Sequence, residues 1–131
     1  MKLTSQILAV SLLALMIAPY TAAHTPPPPA ATVAGVYEHF TIGKGSGDLE
    51  GMRVAIISAG GGYYAIVQIA QGGAEDPKPE FVEATVKGLT VTFTVGDQKF
   101  TGTASAASLR LKDPQGQMHV LKRKPCTSLF R

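Results

Sequence analysis

Between residues 82 and 95 the chain alternates apolar and polar side chains almost without a break. Val82, Ala84 and Val86 alternate with Glu83, Thr85 and Lys87; after Gly88, the residues Leu89, Val91, Phe93 and Val95 alternate with Thr90, Thr92 and Thr94. A period of two places successive side chains on opposite faces of a strand, a pattern that helical spacing does not produce. Two such runs about a glycine predict paired strands with one face in a core and the other in water. The threonine ladder on the wet face is explained by β-propensity alone.

The rest of the domain repeats this pattern in pieces. Residues 33–42 read as a strand ending at the glycine-rich 43–48, and residues 49–58 as a second strand meeting Gly60, Gly61 and Gly62. Residues 63–71 form a third, followed by the one longer loop, 72–80, in which Pro77 and Pro79 donate no backbone hydrogen bonds. After Gly96 and Asp97 come strands over 98–104 and 108–112, the turn Asp113-Pro114-Gln115-Gly116, and a last strand over 117–122. No stretch shows sustained helical spacing. Only 16% of residues are charged, while 14 are Gly and 9 are Pro, which disfavours a charge-rich helical bundle. Eight consecutive short strands predict an all-β domain over 33–122. The expected architecture is an up-and-down β-barrel, whose closure removes exposed edges, with a two-sheet β-sandwich as the alternative.

The N-terminus carries a different signal. Met1 and Lys2 precede the apolar run 7–18, in which Ser11 is the only polar residue, and Thr21-Ala22-Ala23 offers small residues for a signal peptidase. The run is shorter than the roughly 20 residues a spanning helix needs, so a cleaved signal peptide over 1–23 is expected and no permanent membrane anchor. Cleavage near Ala23 predicts a periplasmic or secreted protein. Residues 24–32, with Pro26 to Pro29 in succession, read as an extended spacer.

Charge is unevenly spread. Residues 110–131 hold six basic groups against Asp113, while residues 24–109 hold five basic and eight acidic ones. Residues 123–131 are therefore expected as a basic tail. Cys126 is the only cysteine, so no disulfide forms within the chain, and in an oxidising compartment it could join two copies in a homodimer.

The domain resembles the small calycin barrels, such as lipocalins and avidins. The resemblance rests on strand number, on Gly35-Val36-Tyr37 where lipocalins have Gly-x-Trp, and on the basic Lys122 and Arg123 after the last strand. Tyr37 stands in place of the tryptophan. The likeness implies a ligand held in the barrel mouth and carries over no ligand residue.

Chemistry-bearing residues are few. Glu38 shares a face with Val36, Phe40 and Ile42, so it must be paired, protonated or set at a cavity or rim. Tyr63 and Tyr64 point to opposite faces of their strand. His24, His39 and His119 lack ligand spacing, and no metal site is assigned. The glycine runs precede no helix, as a phosphate cradle requires, and read as hairpin turns. No nucleophile elbow, zinc-protease motif or spaced carboxylate pair is present, so no catalytic residue or cofactor is assigned. Aromatic residues are not interleaved with the basic ones, which argues against nucleic acid as a partner. Two classes of function follow. One is a binding barrel for a small apolar or amphipathic molecule, lined by Tyr37, Glu38, Phe40, Tyr64 and Ile66. The other is a module or inhibitor that binds an envelope protein through Glu75, Asp76 and Lys78 of the long loop and through Lys122, Arg123 and Lys124.

Overall fold

The computed structural model describes residues 32–73 and 75–125. The strands are β1 (Gly35–Ile42), β2 (Leu49–Ala59), β3 (Gly62–Gln71), β4 (Glu80–Lys87), β5 (Thr90–Val95), β6 (Gln98–Ala104), β7 (Ser108–Lys112) and β8 (Met118–Lys124). Each pairs antiparallel with its sequence neighbours, and β8 returns to β1, giving a closed barrel in the order β1 to β8. The two-sheet alternative is set aside. The expected signal peptide, residues 24–31 and residues 126–131 with Cys126 lie outside the described residues.

The alternating pattern decides which face turns inward. Tyr37 lies opposite Val54, and Val54 opposite Val67; Val91 opposes Gly102, which opposes Leu111. These inward positions form one buried cluster with Ile56, Phe93, Phe100, Leu109 and Leu121. The Phe93 and Phe100 rings stack at 5.5 Å between centroids. Threonines 90, 92, 94, 101 and 103 hold the outer face of β5 and β6, where the Thr92 and Thr101 hydroxyls meet at 3.3 Å.

Two ends of the domain differ from the sequence reading. Val33, expected in the first strand, precedes it and packs into the core across one barrel end, because β1 begins at Gly35. Arg123 and Lys124, expected in a tail, belong to β8, because pairing with Tyr37 and Val36 closes the sheet.

Gly102 faces inward between Val91 and Leu111, where a Cβ would strike the Arg110 carbonyl oxygen and the Leu111 side chain. Backbone cannot yield there without opening β6 from β7. Gly102→Ala should therefore lower the unfolding free energy by about 1–3 kcal/mol, read as a lower urea midpoint at unchanged m-value.

Candidate functional site

Up-and-down connectivity sorts the connections by end. Residues 43–48, the loop 72–79, residues 96–97 and residues 113–117 share one end, while residues 60–61, 88–89 and 105–107 share the other with Thr32 and Pro125. The second end is plugged. Arg123, opposite Tyr37 in the register, donates from Nη1 to the Ala34 carbonyl at 2.9 Å and from Nη2 to the Ser105 carbonyl at 3.1 Å. Nη2 also reaches the Thr32 carbonyl and the Tyr37 hydroxyl. The guanidinium carbon lies 4.7 Å from the Tyr37 ring centroid, a cation–π contact. Tyr37 itself is fully buried and donates to the Val33 carbonyl at 2.8 Å. Burial raises the pKa of its hydroxyl, and the Arg123 charge offsets part of that rise. A Cβ at Gly35 would strike Arg123 Nη1, so this glycine leaves room for the guanidinium. Arg123 Nε is left without a hydrogen-bond partner.

The first end is open. A recess of about 580 Å³ lies between β3, β4, β5 and β6, with Val67, Ile69 and Val95 against its apolar side. Glu80, Asp97 and Gln98 add polar groups, and the loop contributes Glu75, Pro77 and Lys78. The loop is held in place from outside. Gln68 donates from Nε2 to the Pro77 carbonyl at 2.7 Å and accepts from Arg53 Nη1 at 3.0 Å. Arg53 in turn grips Glu38, with Nε and Nη2 each 2.7 Å from Oε2. Lys124 Nζ stands 3.8 Å from the other Glu38 oxygen. Elsewhere at the open end, His119 Nε2 meets Asp113 Oδ2 at 2.9 Å, and Asp113 Oδ1 accepts from the Gln117 amide at 2.8 Å.

This geometry redistributes the residues singled out from sequence. Tyr37 faces inward but belongs to the plug. Glu38, Phe40, Tyr64 and Ile66 lie on the outer wall, since their neighbours Tyr37, Ala65 and Val67 face the core. They do not line the interior. Glu38 has the partners its position demands, Phe40 lies under the Arg53 guanidinium at 5.2 Å, and Tyr64 stacks on Phe81 at 5.3 Å. Glu75 and Lys78 line the recess, and Asp76 is exposed on the same loop. Lys122, Arg123 and Lys124 sit toward the opposite end, so the two halves of the expected partner surface do not adjoin. The recess residues Val67, Ile69, Val95 and Gln98 were missed; counting connections in a meander would have placed the 72–80 loop and the 96–97 turn at one mouth. Among the described residues no group of three or more His, Cys, Asp or Glu is placed to hold a metal ion.

No family model matches the chain, and no curated protein or solved structure matches it either.

Arg123→Ala would leave the carbonyls of Thr32, Ala34 and Ser105 short of a donor and uncap the barrel. The expected loss is about 2–3 kcal/mol in urea unfolding, and Arg123→Lys should restore less than half, because an ammonium cannot reach carbonyls on both sides. Asp113 gives a pH signature. The His119 hydrogen bond, followed by the Gln117 amide, holds its pKa below the ordinary 3.8. A lowered carboxyl pKa adds stability that is present above 3.8 and lost as pH falls through the lower folded value. The gap in urea midpoint between wild type and Asp113→Asn should thus be widest above that pH and shrink below it.

Proposed function

We propose that this chain is an exported binding barrel that holds a small apolar or amphipathic molecule in the recess at its open end. The observation that carries the reading is the recess itself: one mouth opens on about 580 Å³, within the ordinary range of ligand pockets, while the other mouth is plugged. The site comprises Val67, Ile69, Val95, Glu80 and Gln98 with the loop residues Glu75 and Lys78. The barrel centre is filled by side chains, so the ligand sits at the mouth and not along the axis. The leader-like N-terminus supports a periplasmic or secreted location. We assign no catalytic residue.

A second reading is favoured by one observation. Ile57, Ile66 and Phe81 are exposed on the outer wall beside Tyr64, and such a convex apolar patch suits an envelope protein as partner.

Native and denaturing mass spectra of the protein, recovered gently from exporting cells, test both. The expected result is a mass excess in the native spectrum alone. Gln98→Trp, which fills the recess, should cut the occupied fraction at least about tenfold, and Tyr64→Ala on the outer wall should leave it unchanged. A bare native mass overturns the small-molecule reading. An excess lost in Tyr64→Ala and kept in Gln98→Trp moves the site to the wall.

A further inference from the structure

Acidic residues gather at one end of the barrel, where Lys44, Lys78, Lys99 and Lys112 also lie. Asp48, Glu50, Glu75, Asp76, Glu80, Asp97 and Asp113, seven of the nine acidic residues of the chain, lie in or beside the open-end connections. Glu38 and Glu83 occupy the wall, with Glu38 opposite Lys122 in the register and 3.8 Å from Lys124. The plugged end has no carboxylate in any of its turns and presents Lys87, Lys122 and Lys124. Arg123 adds its charge from within, where only carbonyls and a hydroxyl receive it. Both ends of the described chain leave the barrel here.

The same end carries a shallow hollow of about 680 Å³ on the outside of β7 and β8. Ala106, Ala107, Val120 and Pro125 line it with apolar surface, and Lys122 and Lys124 flank it. Val120 is 49% exposed, with Lys122 next to it on the same face of β8 and Arg110 opposite it on β7. An apolar trough edged by ammonium groups matches an acyl chain below an anionic headgroup. An acidic protein surface would match the lysines and leave the trough empty.

We propose that the plugged end docks on an anionic phospholipid bilayer, with Lys122 and Lys124 at the headgroups and the Val120 hollow against the upper acyl chains. The acidic mouth then faces away from the membrane, since like charges repel it. The inference stands apart from the recess and holds whether or not the recess takes a ligand.

Flotation with vesicles tests it, using phosphatidylcholine alone and phosphatidylcholine with about one-third phosphatidylglycerol at roughly 0.1 M salt. All variants keep the same N-terminus, so residues 7–18 do not account for differences among them. Wild type should bind the anionic vesicles preferentially and release them at high salt. Each lysine removed should weaken binding roughly fivefold, so Lys122→Ala with Lys124→Ala should lose about 25-fold. Val120→Asp should lose binding further, while Lys44→Ala with Lys99→Ala toward the open end should change it little. Equal binding to neutral vesicles, or equal loss in the open-end double variant, overturns the proposal. So does displacement by soluble glycerol phosphate, which would make the site one for a free headgroup. Capture of an acidic protein by a chain that ignores both vesicle types overturns it in favour of a protein partner. Unchanged thermal unfolding of the lysine variants, whose side chains are exposed or half-exposed, separates a binding defect from a folding one.

Discussion

Everything in this barrel hangs on a seam three residue pairs long. Val36, Tyr37 and Glu38 of β1 face Lys124, Arg123 and Lys122 of β8, and without these pairs the eight strands are an open sheet with two bare edges. Because side chains alternate, the seam is fastened on both sides. Inside, Arg123 lies on Tyr37 and ties in the segment 32–34. Outside, Glu38 draws in Arg53 from β2 and stands near Lys124 from β8. One short stretch of β1 thus joins the core, the plug and the outer wall.

How far this was legible in the sequence depended on how cleanly apolar and polar residues alternate. In β4 to β7 they do, and strands, faces and fold class follow from the pattern. In β2 and β3 both faces are apolar: Val54 and Ile56 alternate with Ala55 and Ile57, and Ala65 and Val67 flank Ile66. Periodicity has nothing to sort there, so Tyr64 and Ile66 read as lining when they belong to the wall. Glu38 misled in the opposite way, because its salt-bridge partner lies 15 residues off and is invisible to local patterning. Arg123 read as tail because a basic run looks like a solvated terminus. Of its true neighbours, Ser105 comes near through the β7–β8 pairing, and Thr32 and Ala34 only through closure.

The recess and the plug are products of the same topology. An even number of strands in simple succession sends connections alternately to the two ends. One end collects the longest loop and most of the acid; the other collects both ends of the described residues, with Lys87, Lys122 and Lys124. The ladder from Glu38 through Arg53 and Gln68 to the Pro77 carbonyl crosses the outer wall between them. It sets the position of the loop beside the recess by contacts that lie wholly outside the barrel, which frees the inward face of β3 to carry apolar residues.

The seam also sets the order in which the molecule can be completed. Tyr37 and Arg123 are 86 residues apart, whereas every other strand pairing joins neighbours in sequence. Hairpins can form as each strand emerges, at small loop-closure cost, but the first strand keeps one edge unsatisfied until the eighth has been made. A chain that appears N-terminus first therefore stays unlocked until nearly all of its barrel has been made, and latches in a single late step.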